Sequence, residues 1–382
     1  MKLIGGFLIF FWAQVCFGQQ TTETILEQLV SKQASGDHFY DDGLFPSQRS
    51  WKQSRSPVED NTIFFTASIV HTLQQLLPMM SADERDLAEK IILNAQQNYP
   101  YYQSRKGEPT FNFWQTRDPD LPFPNGNKWV SNPRMRLPDD LDTSILISMG
   151  SDDDSMKFRL RQKMVAYAAR ENRGESELNT LSKYEKSNAY EVWFAKEMPQ
   201  TFDFCVLTNA MYFVLDEGYL LNRYDSASIL LIKKMLAEGD LSQTVDQVSH
   251  HTTSPALLLY HMARLIEKDD LGVFEEVIPL LERTLVSEFD STQSEFEKML
   301  ITTSLIRLQH FPLRSLDYHA IQTELDEFVF FSVKPFLGNP KFSFLNKLVP
   351  DITWKCEALN WALYLEHLYL SKTFPSNIIG TH

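Results

Sequence analysis

The sequence predicts an all-α protein folded as an (α/α)6 toroid, with six inner helices enclosed by six outer ones. Three observations carry that expectation. Helical periodicity dominates the chain and strand signals are few. Windows that are apolar nearly all round alternate six times with amphipathic ones. The connections between them are unequal in a regular way, short in one sense and mostly long in the other.

The amphipathic windows come at 21–33, 82–97, 153–171, 225–236, 271–287 and 318–331. Each carries charge on one side and aliphatic residues on the other, the pattern of a helix at a surface. Pro279 is expected to kink the fifth of them. The apolar windows come at 62–76, 140–149, 203–215, 254–267, 295–308 and 355–370, with Ala, Ser and Thr scattered through them. A helix that is apolar on every face is buried on every face. A ring of such helices inside a ring of amphipathic ones satisfies both patterns within one domain.

From apolar to amphipathic window the gaps are short: 77–81, 150–152, 216–224, 268–270 and 309–317. In the other sense they are long: 34–61, 98–139, 172–202, 237–253 and 332–354, with only 288–294 brief. In an alternating ring all connections of one sense emerge on one face. Long loops carry function more often than short ones, and these hold Trp51, Trp114, Trp129 and Trp193. The end where the inner helices begin is therefore the expected site.

The first eighteen residues read as a signal peptide. Lys2 supplies the positive start, Leu3 to Val15 form an uncharged apolar stretch, and Cys16-Phe17-Gly18 offers small residues for cleavage after Gly18. The expectation is an exported protein, periplasmic or secreted, with residues 19–382 as a single toroid domain. The apolar run is too short for a comfortable membrane span, and no later segment reaches 18 uncharged apolar residues.

The 382 residues carry a formal charge of −14, which argues against a nucleic-acid partner, since no basic stripe is present to displace phosphate counterions. Hydrophobic residues at 43% and charged residues at 23% place the chain among ordinary globular proteins and exclude a disordered or disulfide-scaffold class. Cys205 and Cys356 open the third and sixth inner helices, which stand opposite each other in a six-membered ring. Neighbouring helices already lie about 8–10 Å apart and a disulfide needs Cα atoms within about 7 Å. Both thiols are therefore expected free.

The ring pattern and the segment LPDDLDTS at 137–144, opening an inner helix, resemble the terpenoid cyclase and protein prenyltransferase toroids. Class II terpenoid cyclases carry D-x-D-D-T-A at such a position. Asp139 matches its first acid, Asp142 its last and Thr143 its threonine, while Leu141 stands where the family has its proton donor. The resemblance implies the fold over nearly the whole chain and, for chemistry, covers about seven residues. The glutamine–tryptophan repeats of squalene-type cyclases and the zinc set of protein prenyltransferases have no match.

Polar residues gather where the inner helices begin: Asp60 and Asn61, Asp139, Asp140 and Asp142, Asp203, His250 and His251, Glu295, and Lys355 with Glu357. One Asp suffices to cap a helix, so three acids in four residues exceed that need, and Asp140 or Asp142 is expected to face a cavity. Asp139, Asp140, Asp142, Asp203 and Glu357 are the candidate catalytic carboxyls. Asn61, Trp114, Trp193, Lys196, His251 and Trp354 are the candidate ligand contacts. Paired carboxyls permit acid–base work on a glycosidic bond, or protonation of an apolar substrate with aromatic faces stabilising a cation. Adjacent His250 and His251 rarely ligate one ion together, so no metal is expected. Phosphate-loop, dinucleotide, serine-hydrolase and zincin motifs are missing, and no cofactor is expected.

Three readings follow. The first is an exported toroid protein that binds, and processes with carboxyls, a neutral glycan-like small molecule or oligosaccharide. The second is a terpenoid-cyclase-like enzyme with an altered acid motif. The third is a binding protein without catalysis.

Overall fold

The computed structural model describes residues 21–51, 57–117, 138–169, 183–184, 187–195, 200–252, 254–310, 314–333 and 351–373. The expected signal peptide and Lys196 lie outside the described residues.

The chain runs α1 (Thr22–Lys32), β1 (Ser47–Trp51), β2 (Val58–Asp60), α2 (Ile63–Leu76), α3 (Ala82–Gln96), α4 (Leu141–Met149), α5 (Asp154–Ala168), α6 (Phe204–Asp216) and α7 (Arg223–Ala237). Two short helices follow, α8 (Asp240–Gln243) and α9 (Val245–Val248). The remainder is α10 (Pro255–Glu267), α11 (Ile278–Ser291), α12 (Glu295–Arg307), α13 (Tyr318–Glu324), β3 (Phe331–Val333), β4 (Ile352–Lys355) and α14 (Glu357–Lys372).

Local chemistry sets the helix starts. Side chains of Thr21, Thr62, Asp140, Asp153, Asp203, Ser254, Ser294 and Asp317 accept from backbone N–H groups of the first turn. Ser81 with Glu84, and Asn222 with Asp225, close reciprocal capping boxes. Pro279 does not kink its helix, contrary to expectation. It sits in the first turn of α11, where its missing N–H costs nothing, and a 3-10 turn at Glu275–Val277 leads in.

The apolar windows are buried as expected: in α6 every residue from Phe204 to Val214 is buried. These helices pack in succession, α2 on α4, α4 on α6, α6 on α10, α10 on α12, α12 on α14, and α14 back on α2. The amphipathic helices lie against them: α1 on α14 and α3, α3 on α2, α5 on α4, α7 on α6, α11 on α10 and α12, and α13 on α12. Some contacts join buried helices that are not neighbours in this succession, among them Tyr212 Oη of α6 donating to Gln75 Oε1 of α2 at 3.2 Å. The Tyr212 ring of α6 meets His71 of α2 edge-on at 5.4 Å, and Tyr260 of α10 donates to Glu366 of α14 at 2.5 Å.

The all-α expectation needs correction. The strands form a four-stranded antiparallel sheet in the order β2-β1-β4-β3, with Arg49 opposite Trp354 and Trp51 opposite Ile352. Three to five residues are too few to reveal a period of two, and β1 finds its partner about three hundred residues later. The fold is mostly helical with this small sheet. No helix among the described residues is long and apolar enough to cross a membrane.

Candidate functional site

Three loops meet where α4, α6 and α10 begin, and backbone hydrogen bonds fix them together. Asp140 N–H donates to the Phe111 carbonyl at 3.1 Å, Leu141 N–H to Val192 at 2.8 Å, and Phe194 N–H to Asp139 at 3.0 Å. Asp140 is thereby bridged to both Phe111 and Trp193. From the sheet, Ser332 N–H donates to the His251 carbonyl at 2.9 Å, which brings β3 to the start of α10.

Six expected residues gather there: Asp139, Asp140, Asp142, Asp203, Trp193 and His251. Half-buried Asp139 accepts from the Thr110 hydroxyl at 2.6 Å. Asp140 caps α4, its Oδ1 accepting from Thr143 N–H at 2.8 Å, while its Oδ2 is buried without a partner. Asp142 accepts from Asn209 Nδ2 at 2.7 Å, and Asn209 Oδ1 in turn lies 3.2 Å from His261 Nδ1. Burial, then the positive charge of Arg264, drives the His261 imidazole down to about 3, so it is neutral and donates through Nδ1–H. Leu141, between the acids, is buried.

The three central carboxyls divide sharply. Asp140 is pushed up to about 7 by burial, with Asp142 and Asp139 adding like charge, against the Thr143 hydrogen bond. Asp142 is pushed up to about 7 by burial, with Asp203 adding to it, against Asn209 and His251. Burial acts on Asp203 in the same upward direction, yet His251, His250 and Ser249 outweigh it and hold Asp203 down at about 2. Its Oδ1 accepts from Cys205 and Val206 N–H at 2.9 and 3.3 Å. Its Oδ2 accepts from Ser249 Oγ at 2.9 Å and His250 N–H at 3.0 Å, and faces His251 Nδ1 at 3.3 Å. Half-buried Trp193 stands edge-on to the His251 ring at 6.3 Å.

Four expected residues lie elsewhere, and two of them require correction. Trp114 and Trp354 do not present open faces for a ligand: both are buried, with their indole N–H groups turned to Asp60 at 2.9 and 3.1 Å. An indole needs an acceptor once it is buried, and the fully buried Asp60 supplies one oxygen to each. Arg49 completes that cluster at 2.8 Å from Asp60 Oδ2. Asn61 sits beside it, its carbonyl accepting from Tyr102 Oη at 2.7 Å.

Glu357 lies on the far side of the sheet, at a cleft of about 530 Å³ that Lys32, Glu59, Asp326 and Lys355 also line. It pairs with Lys32 and accepts from Trp361 Nε1 at 3.3 Å. Neither Glu357 nor this cleft joins the carboxyl cluster.

Neither Asn209 nor His261 is among the site residues expected from the sequence. The available signal was an Asn in the middle of FCVLTNAMYFVLD, since a buried amide must find partners. Cys205 and Cys356 are free and buried.

Neither protein-family models nor curated proteins give any match to the chain. Its class therefore rests on its own geometry: a mostly helical protein with a small antiparallel sheet and a buried carboxyl cluster where three loops meet.

Proposed function

We propose that the chain is an exported α/α toroid whose carboxyl cluster binds a neutral, glycan-like ligand and processes it by acid–base chemistry. The closed succession of buried helices, with amphipathic helices against it, supports the toroid. The observation that carries the chemistry is the pair Asp140 and Asp142, two residues apart and both lifted to about 7. Near neutral pH one such carboxyl holds its proton while the other is ionised, the division of labour an acid and a base require. Asp140 Oδ2, without an internal partner, is the oxygen available to donate. Asp203 stays ionised with His251 and orients the ring beside Trp193, whose half-buried indole suits a sugar face.

A second reading, ligand binding without turnover, draws on one observation: Asp140 and Asp203 each serve as a helix cap. One experiment separates the two. Protein beginning at Gln19 is presented with a panel of neutral oligosaccharides, and both binding and bond cleavage are followed. Acid–base processing predicts turnover with a rate profile centred near pH 7, reduced about 10²–10⁴-fold in Asp140→Asn or Asp142→Asn with binding retained. Binding without cleavage in the wild type supports the second reading. No binding at millimolar oligosaccharide overturns both.

A further inference from the structure

The second unusual group in the interior is a cation. Arg264, in the last turn of α10, is 9% exposed. Its guanidinium carbon lies 5.3 Å from the centroid of Tyr212 and 5.6 Å from that of Tyr260. These ring contacts leave its five N–H donors without an acceptor among the described residues. The carboxylates nearby are already engaged. Asp216 pairs with Lys268 at 2.8 Å, and Glu366 with Arg307 at 2.6 Å while accepting from Tyr260. Glu267 pairs with Arg307 as well.

On α2, a second buried polar group lacks a partner. His71 meets the same Tyr212 ring at 5.4 Å, and its Nε2 is buried with no partner. Burial holds the His71 imidazole well below its ordinary value, and Arg264, Lys268 and Arg307 push it further down. It is therefore a neutral ring able to offer one N–H. Buried arginines are almost always paired, and a guanidinium presents a planar fork matched to two oxygens of a carboxylate or phosphate. A guanidinium and an imidazole, on helices separated by α4 and α6 in the packing succession, share one aromatic ring and both lack acceptors.

We propose that Arg264 and His71 form a buried binding site for an oxyanionic group, a carboxylate or a phosphate, received beside the Tyr212 ring. The guanidinium supplies two parallel N–H donors and His71 Nε2–H a third, with Tyr212 and Tyr260 holding the arginine in place. The site does not depend on the acid–base reading of the Asp140 cluster.

The test uses the whole chain from Gln19 and titrates sodium acetate, sodium glucuronate, inorganic phosphate and sulfate at constant ionic strength, by calorimetry and melting temperature. The expected result is saturable binding of at least one of these with a matching rise in melting temperature. Arg264→Met should abolish it, Arg264→Lys should weaken it at least tenfold by losing the fork, and His71→Phe should weaken it several-fold. Response to acetate and glucuronate assigns the site to a carboxylate, and response to phosphate and sulfate to a phosphate. Wild-type protein without saturable response to any of the four overturns the proposal. So does an Arg264→Met or Arg264→Lys protein, folded by circular dichroism, that binds as the wild type does.

Discussion

Asp60 accepts the indole N–H of Trp354 at 3.1 Å, across 294 positions of sequence. That one contact joins the start of α2 to the start of α14, and the same carboxylate also holds Arg49 and Trp114. Three side chains share two oxygens in a place where water does not reach. Burial raises the Asp60 carboxyl, and Arg49 and the two indoles oppose it.

Removing that carboxylate takes away the buried ion pair of Arg49 and the acceptor that the two indoles share. Asp60→Ala should therefore lower stability by about 3–5 kcal/mol, read as a shift of the urea midpoint with unchanged slope. Trp114 and Trp354 should become more exposed, so tryptophan emission should move to longer wavelength. A loss under about 1 kcal/mol would show that the cluster does not hold the loops together.

The buried carboxyls predict an unusual pH dependence of stability. Asp140 and Asp142 lie at about 7 in the folded chain against 3.8 ordinarily, so the folded state holds more protons than the unfolded between about pH 4 and 7. Stability should fall as pH rises through that window and level off above it. Asp203, held at about 2, acts oppositely: its contribution is present above about pH 4 and is lost as pH falls towards 2. Denaturation curves collected from pH 3 to 9 should therefore show greatest stability near pH 4–5. A maximum at pH 8 would contradict the carboxyl assignments.

Asp142→Asn should be stabilising at high pH. The asparagine oxygen still accepts from Asn209, while the buried negative charge is gone. A gain of about 1–3 kcal/mol is expected at pH 8 and none at pH 4. Equal effects at both values would mean that Asp142 does not titrate in this range.

Burial raises both thiols, Cys356 to about 12 and Cys205 well above its ordinary value, so neither reacts as a thiolate at neutral pH. In native protein beginning at Gln19, a thiol reagent should count none within minutes. The same protein unfolded without reductant should count two. A count of zero after unfolding would place the two cysteines in a bridge.

Gly43 has a backbone φ of +88°, and a β-carbon there would lie 2.2 Å from the Asn94 carbonyl oxygen. Gly43→Ala adds that collision to the strain of a left-handed backbone. A loss of more than about 2 kcal/mol is expected, measured by thermal and urea unfolding, with the loop at Gly43 pushed away from α3.

The helices were legible because their determinants are local. The apolar window at 203–215 became Phe204–Asp216, and the Asp before it became its cap. Carboxyls at the helix starts could be listed for the same reason, since capping joins residues two or three apart. Sequence alone therefore determined the mostly helical character, the approximate places of the main helices and the acids before α4 and α6, although the windows at 271–287 and 318–331 misplace helices that span Ile278–Ser291 and Tyr318–Glu324.

Only the tertiary structure decided which of those acids meet. Asp142 is bound through Asn209 to His261, and Asp203 through its Oδ2 to His251, residues separated by 46 to 67 positions or bridged by a third. Trp114 and Trp354 illustrate the limit most plainly. An indole N–H turns to whatever acceptor the packed chain brings within about 3 Å, and although Asp60 stands at a helix start in the sequence, no period or spacing announces that it meets these two indoles. The same holds for β1 and β4, whose hydrogen bonds exist only between strands far apart in sequence. Helical periodicity and capping are written within a few residues, whereas pairing across the fold depends on burial that removes water and leaves each polar group to its nearest partner.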